Sequence, residues 1–214
     1  FLRWYWTRDP IKGDVTDIRN FANGVLNDAA DLGTGIHEWV AADCGEGLYP
    51  DTTLQENHFW QMVEQWDKFR SEHTIVPIHN EVTLWSYEYG YAGTADGIWE
   101  VDGVRTLMDL KSGRNTWDEH LMQLASLGAC DAVFVEEDGV WVEYPVPDFS
   151  QYAILHIRPE DVDKDGNTID PFCILKVLDQ EEIPLHFEAF LGLLQVSQTQ
   201  RKIDEYRKSN SKKV

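Results

Sequence analysis

The stretch GTADGIWEVDGVRTLMDLKSG, residues 93–113, carries two runs of strand-forming residues joined by the turn signal Asp102-Gly103. Each run holds one aspartate, Asp96 in the first and Asp109 in the second, and Lys111 follows two places later. Side chains alternate along a strand, so Lys111 is expected on the same face as Asp109. Buried carboxylates beside a buried ammonium are costly unless a metal ion or another charge compensates them. The pattern alone leaves open whether the compensating charge has a structural or a catalytic role.

An antiparallel meander brings Asp96 and Asp109 alongside each other, where two carboxylates repel unless a divalent cation lies between them. Oxygen ligands with at most one imidazole suit Mg²⁺ or Mn²⁺ better than zinc or copper. Lys111 is then expected to hold or deprotonate a water molecule, or to neutralise charge that develops on a phosphate. The alternative is a plain surface ion pair between Asp109 and Lys111 on an edge strand.

The hydrophobic periodicity around this stretch predicts an α/β protein with a mixed central sheet, an antiparallel meander and flanking helices. No repeat, low-complexity segment or linker divides the chain, so residues 1–214 are predicted to form one domain. The predicted helices are 14–43, 52–72, 117–130 and 181–207, and the predicted strands are 75–87, 91–101, 104–111, 152–158 and 172–178, with a hairpin at 133–146.

Composition narrows the possible partners. The net charge is −20, which argues against a polyanionic partner, although residues 201–214 are basic and form either a phosphate-contacting tail or a solvated helix end. No apolar run approaches the roughly 18 residues needed to cross a bilayer, so no membrane partner is expected. The three scattered cysteines predict free thiols in a reducing cytoplasm. Most of the nine tryptophans are expected in the core.

Two motifs resemble metal sites but are incomplete. His37-Glu38 begins an HExxH pattern, but Ala41 stands where the second histidine is required. The segment DVDKDGNTIDPF, residues 161–172, imitates a calcium loop but ends in Phe172 instead of a bidentate glutamate. The alternatives for that segment are weak calcium binding or an acidic hairpin loop closed by Asp165-Gly166.

An ordered set of motifs resembles the PD-(D/E)XK nuclease superfamily, and within it the RecB-like exonuclease branch with its CRISPR-associated and phage-encoded members. The motifs are GTGIHE (33–38), HNEVTLW with Glu81, GTADGIWEVDG (93–103), LMDLKSG (107–113) and MQLASL with Gln123. The likeness covers a motif core of about 31–130. A looser likeness extends it to the strands and helix of 150–208.

The resemblance implies a restriction-endonuclease-like core and a role for each matching residue. It implies that His37, Asp96, Asp109 and the backbone carbonyl of Leu110 hold one or two Mg²⁺ or Mn²⁺ ions. Lys111 is implied to be the catalytic lysine and Glu81 to line the site from the preceding strand. DNA contacts are expected from Gln123, Arg114 and Trp117, the last by stacking unpaired bases. A basic groove of Arg105, Lys111 and Arg114 is expected as well.

Two departures from the family pattern stand out. Leu127 occupies the position of a tyrosine in the QxxxY helix motif, and the four cysteines of the iron–sulfur members are missing, so no iron–sulfur cluster is expected from this chain. The resemblance implies a metal-dependent DNA exonuclease in bacterial or phage-infected cytoplasm, working in recombination, repair or phage DNA processing. A homo-oligomer or a recombination partner would supply the missing positive charge. The alternative is a non-catalytic DNA-binding module of a recombination or packaging complex.

Overall fold

The computed structural model describes residues 32–45, 47–52, 57–137 and 139–211. Within them, residues 32–43 form helix α1, and the predicted helical residues 14–31 lie outside the described part of the chain. The other helices are α2 (Asn57–Glu72), α3 (Asp118–Gly128) and α4 (Ile183–Ser211). The strands are β1 (Ile75–Ser86), β2 (Tyr91–Val101), β3 (Val104–Lys111), β4 (Ala132–Glu137), β5 (Val140–Pro145), β6 (Gln151–Arg158), β7 (Asp161–Val162), β8 (Thr168–Ile169) and β9 (Phe172–Val177).

Seven strands form one mixed sheet in the order β5-β4-β1-β2-β3-β6-β9, which confirms the predicted α/β class with a mixed central sheet. Its middle is the predicted meander, and the link between β2 and β3 has Asp102 at φ 52° and Gly103 at φ 80°, as a two-residue hairpin turn requires. Strands β3 and β6 pair in parallel, because the chain between them crosses through α3 and the β4–β5 hairpin. The remaining pairs in the sheet are antiparallel.

Helices cover both faces of the sheet and make two separate cores. One core joins α1 and α2 to the sheet through Ile36, Val40, Phe59, Met62, Val63, Trp66, Phe69, Trp99, Val101, Met108, Leu110, Ala153, Leu155 and Ile157. The other core joins α3 to the opposite face of the sheet, and Ile183 of α4 packs beside it. Its buried residues are Val82, Leu84, Ala95, Ile98, Leu107, Leu124, Leu127, Cys130, Val133, Ile154 and Leu178. Both faces of the central strands are therefore dry, as the apolar runs of β3 and β6 require.

Side chains of β2 point alternately to the two faces of the sheet, and this alternation breaks at Asp96. Trp99 belongs to the core under α1 and α2, and its ring lies over Gly97, where an added Cβ would come within 2.3 Å of the indole nitrogen. Alternation would place Ala95 on that same face, yet Ala95 packs in the opposite core. The reversal falls on the residue between Ala95 and Gly97, so Asp96 emerges on the side of α1.

Strand β1 is distorted at the facing position. The register pairs Asn80 with Gly97 and Val82 with Ala95, which puts Glu81 opposite Asp96. Glu81 has φ 45°, a left-handed backbone conformation that costs a non-glycine residue about 1 kcal/mol or more. Asn80 turns toward α1 and accepts a hydrogen bond from the Trp99 indole at 2.6 Å. The two strands are therefore bent together where their acidic residues meet.

The tryptophan prediction is wrong for most of the described indoles. Trp66 and Trp99 are buried and Trp39 is half-buried, but four others are exposed, namely Trp60, Trp85, Trp117 and Trp141. The strand and hairpin positions of Trp85 and Trp141 face solvent, which periodicity alone does not reveal. The three cysteines carry free thiols, as predicted. No helix in the described ranges has the length and apolar character of a membrane span.

Candidate metal centre

Three side chains from three elements converge beside the bend. His37 of α1, Glu81 of β1 and Asp96 of β2 each offer a ligand atom, and these atoms lie within 4.8 Å of one another. His37 Nδ1 is 3.5 Å from Asp96 Oδ1, and the other oxygen, Oδ2, accepts the backbone N–H of Leu110. The bend that turns Asp96 toward α1 is thus what brings a helix-borne imidazole and two strand carboxylates together.

Helix α1 is held in place by close packing. Ile36 and Val40 are buried in the core under the helix, on either side of His37 in the sequence. Gly33 lies one turn before His37 on the same face of the helix, and a Cβ there would stand 3.0 Å from Ser112 Oγ. This close approach sets α1 against the residue that follows Lys111, and the imidazole faces Asp96 in the middle of β2.

A small cavity lies among the converging groups. It is lined by His37, Glu81 and Asp96 together with the apolar side chains of Val40, Trp99, Met108 and Leu110. Its volume is about 10 Å³, which matches the room that a single water molecule or ion needs. Three ligand groups around a space of this size are chemically suited to a hard divalent cation.

Asp109 and Lys111 form an ion pair on the neighbouring strand. Lys111 Nζ lies 2.6 Å from Asp109 Oδ2, so the two side chains share a face as predicted. Lys111 is the one donor close to Oδ2 among the described residues, and no other hydrogen bond reaches this buried oxygen. Asp109 is only 1% exposed, which leaves water unable to satisfy it. A buried carboxylate oxygen in this state is suited to accept a cation.

The protonation behaviour of the site follows from this crowding. Burial, and next the charge of Asp96, raise the pKa of Asp109 to about 6 against the opposing charge of Lys111. For His37, burial favours the neutral ring, but the hydrogen bond and charge of Asp96 outweigh it and raise the pKa of the imidazole. Both shifts mark a pocket with more negative charge than its own cations balance.

The predicted metal ligands are brought together in part. His37 and Asp96 lie in the convergent cluster, and Glu81, which was expected to line the site from the preceding strand or to serve a second metal, is its third member. Among the described residues Asp109 is not part of that cluster, although its pKa responds to the charges of Asp96 and His37. Leu110 reaches the site through its backbone N–H and side chain. One imidazole with two carboxylates fits Mg²⁺ or Mn²⁺, and the buried carboxylate of Asp109 supplies a further oxygen nearby.

The three residues expected to contact DNA lie on different surfaces. Gln123 lines an apolar cavity of about 350 Å³ between α3, the start of β2 and α4. Trp117 caps the start of α3 and is 42% exposed. Arg114 is drawn toward the β7–β8 hairpin, where it contacts Asp161 and the carbonyl of Val162. Sequence spacing carries no sign of this pairing, because Asp161 is 47 places away along the chain.

The cations expected in a basic groove are spread along β3 and the loop that follows it. Arg105 and Lys111 lie six residues apart near opposite ends of β3, which corresponds to about 20 Å along the strand. Arg105 faces Glu100 across the β2–β3 ladder. A groove that held both cations would run the whole length of β3, and this groove stays a prediction.

Two residues near the site have explanations that the sequence did not offer. Leu127, which stands where the resemblance implies a tyrosine, is buried against Gly93, where an added Cβ would meet its side chain at 2.8 Å. His120 lies in the first turn of α3, where burial and the nearby charge of Lys111 lower its pKa. A lone histidine carries no sequence signal of such proximity.

The segment that imitates a calcium loop is the β7–β8 hairpin, which confirms the acidic hairpin prediction. Asp163 Oδ1 accepts the backbone N–H groups of Asp165 and Asn167, and its Oδ2 accepts the side-chain amide of Asn167. Gly166 has φ 85°, as the turn requires. The Asp163 carboxylate is thus occupied in holding its own loop.

No protein-family model matches this chain, and no match was found among curated proteins. The function of this chain is therefore inferred from the geometry and chemistry of its convergent residues.

Proposed function

We propose that the protein is a metal-dependent deoxyribonuclease with a PD-(D/E)XK, restriction-endonuclease-like core, acting as an exonuclease in recombination, repair or phage DNA processing. The observation that carries this proposal is the meeting of His37, Glu81 and Asp96 within 4.8 Å, beside a buried Asp109 and its Lys111 partner. A structural ion pair explains Asp109 and Lys111 alone. It does not explain why an imidazole and two further carboxylates are held against them.

The donor set assigns a role to each residue. His37, Glu81 and Asp96, with the buried oxygen of Asp109, would hold one or two Mg²⁺ or Mn²⁺ ions. A bound ion would polarise a phosphate oxygen and lower the pKa of a water molecule. The Leu110 N–H fixes one oxygen of Asp96, so the other oxygen is kept oriented toward His37. These contacts orient the ligands before any substrate arrives.

Lys111 is the positioning group for the attacking water in this proposal. Its ammonium is 20% exposed, so it reaches both the buried carboxylate of Asp109 and a substrate at the surface. Near the scissile phosphate it would orient water for in-line attack and offset the negative charge that develops there. Because the chain carries a net charge of −20, the metal and Lys111 are the local positive charges that allow a phosphodiester to approach.

The test is cleavage of end-labelled linear and closed circular DNA, single- and double-stranded, with Mg²⁺, Mn²⁺, Ca²⁺ or EDTA. Wild-type protein should release label only with Mg²⁺ or Mn²⁺ and leave circles intact. Asp96→Asn and Lys111→Ala should abolish release, and Asp43→Asn, which alters a carboxylate at the far end of α1, should retain it. Cleaved circles would replace exonuclease by endonuclease action.

Intact substrates under every condition would overturn the nuclease proposal. DNA binding by such an inactive protein would instead favour the non-catalytic DNA-binding module. Equal activity of wild type, Asp96→Asn and Lys111→Ala would show that the cleavage belongs to a contaminant, whereas equal activity of Lys111→Ala alone would remove Lys111 from the mechanism.

A further inference from the structure

A second polar pocket lies next to the loop that follows Lys111. Its volume is about 360 Å³, and it is bounded by that loop on one side and by the β7–β8 hairpin on the other. The charged residues that line it are Arg114, Arg158, Asp161, Asp163 and Lys164. Three cations against two carboxylates give this pocket an excess of one positive charge, in a chain whose net charge is −20.

Two guanidinium groups in the pocket share one carboxylate. Arg158 Nη2 lies 2.6 Å and Arg114 Nε lies 3.2 Å from the same oxygen, Asp161 Oδ2. One carboxylate can neutralise only one of the two cations. Arg158 is 14% exposed, and burial together with the charge of Arg114 lowers the pKa of its guanidinium against the effect of Asp161. The pair is thus short of negative charge.

The other charged residues of the pocket do not supply the missing negative charge. The Asp163 carboxylate accepts hydrogen bonds from its own hairpin, which turns its oxygens toward that loop. Lys164, next in sequence, is exposed and adds a third cation at the rim. The two arginines can therefore bind an anion from solvent. Planar guanidinium groups recognise phosphate particularly well.

The pocket is joined to the candidate metal centre by short connections. Arg158 Nη1 donates to the carbonyl of Ser112 at 3.1 Å, and the ring of His156 contacts the carbonyl of Gly113 at 2.8 Å. These hydrogen bonds fix the loop that starts directly after Lys111. Arg114 is three residues from Lys111, so their Cα atoms are at most about 11 Å apart. A nucleic-acid strand covers this distance in about three nucleotides.

From these contacts we propose that the pocket formed by Arg114, Arg158 and Lys164 binds a backbone phosphate of the nucleic-acid strand about one to three nucleotides from the scissile bond. Asp161 is the internal counter-ion that the phosphate displaces. The inference rests on the proposed function for its distance to the cleavage site, but the binding of a phosphodiester strand is testable by itself.

The experiment measures binding without cleavage. Fluorescence anisotropy of a labelled single-stranded oligonucleotide in EDTA, over a series of salt concentrations, gives both the affinity and the number of phosphates that the protein neutralises. Arg114→Gln and Lys164→Gln should each weaken binding about fivefold. The slope of log K against log salt should fall by about 0.7 for each phosphate that a variant no longer neutralises. Asp161→Asn should tighten binding, because it removes the competing carboxylate.

Lys68→Gln is the matched control, since it removes one positive charge from an exposed position on α2. It should leave the salt slope unchanged. Arg158 is largely buried, so the test relies on the exposed Arg114 and Lys164. Thermal melts confirm that each variant is folded. Equal slopes for wild type, Arg114→Gln and Lys164→Gln would overturn the phosphate site even if the protein cleaves DNA.

The other outcomes separate the two proposals. Reduced slopes in a protein that never cleaves DNA would support the phosphate site and overturn the nuclease. Titration calorimetry with inorganic phosphate distinguishes a free anion from a strand. Phosphate binding that is lost in Arg114→Gln while oligonucleotide binding is unchanged would overturn the assignment to a strand.

Discussion

Asp43 lies beside Arg70 and Asp109 lies beside Lys111, and the surroundings of these two carboxylates differ. Asp43 accepts hydrogen bonds from the Tyr49 hydroxyl, the Trp66 indole and Arg70. Asp109 is more deeply buried, and among the described residues Lys111 is the only donor close to its Oδ2.

The pKa values of the two groups move in opposite directions. Partial burial opposes ionisation of Asp43, but the hydrogen bonds from Arg70, Trp66 and Tyr49 outweigh it and lower its pKa. Burial raises the pKa of Asp109, with the charge of Asp96 adding to the effect. A satisfied carboxylate stabilises the fold, whereas an under-satisfied one lowers stability unless something binds it. This difference separates a structural ion pair from a candidate site.

The largest expected effect is on cleavage, where matched variants of the two cations should diverge. Lys111→Met is expected to reduce the rate of label release from linear DNA about 10³-fold, because a group that stabilises developing charge is lost. Arg70→Met removes the same charge from the structural pair and should change the rate less than twofold when assayed below its melting temperature. Similar losses in both variants would mean that the two pairs do not differ in function.

The second largest effect is expected on metal binding, which should depend on the candidate metal centre and not on the Asp43–Arg70 pair. A saturating concentration of Mn²⁺ is expected to raise the melting temperature of the wild type by about 5–10 °C, since a ligand at 100 times its Kd adds about 2.7 kcal/mol. Asp96→Asn should lose this shift and Asp43→Asn should keep it. Differential scanning calorimetry with and without EDTA makes the measurement, and an equal shift in all three proteins would place the ion elsewhere.

Removing each pair as a whole should change stability with opposite signs in EDTA. Replacing Asp43 by Leu and Arg70 by Met is expected to destabilise the fold by about 2 kcal/mol, because the indole and hydroxyl lose their acceptor. Replacing Asp109 by Leu and Lys111 by Met is expected to be neutral or to stabilise by about 1 kcal/mol, as for other buried ion pairs. Urea denaturation measures both. Strong destabilisation by the second pair of substitutions would identify it as structural.

The smallest expected effect is the acid dependence of the structural pair. Because the pKa of Asp43 is lowered on folding, its contribution is present above its unfolded pKa of about 3.9 and is lost as the pH falls through the folded value. The stability difference between wild type and Asp43→Asn should therefore shrink below about pH 4. A difference that stays constant from pH 6 to pH 3 would show that the carboxylate charge contributes nothing.

Much of the fold could be predicted from local sequence. Strands β2 and β3 begin and end where the pattern predicted, and the ends of α3, β6, β9 and α4 differ by a few residues. Turn residues such as Asp102-Gly103 and the alternation of Asp109 with Lys111 are short-range effects that a sequence carries directly. The acidic hairpin at 161–169 was predicted for the same reason.

The sequence by itself determined the sheet class, the meander and the shared face of Asp109 and Lys111. Only the tertiary structure decided which groups meet at the site. Asp96 faces α1 because alternation reverses there, under an indole that packs over Gly97, and Glu81 joins the cluster because its strand bends with it. Arg114 pairs with Asp161 because the β7–β8 hairpin comes back beside the end of β3. Such contacts join residues distant in the chain, and local periodicity contains no information about which of them will approach.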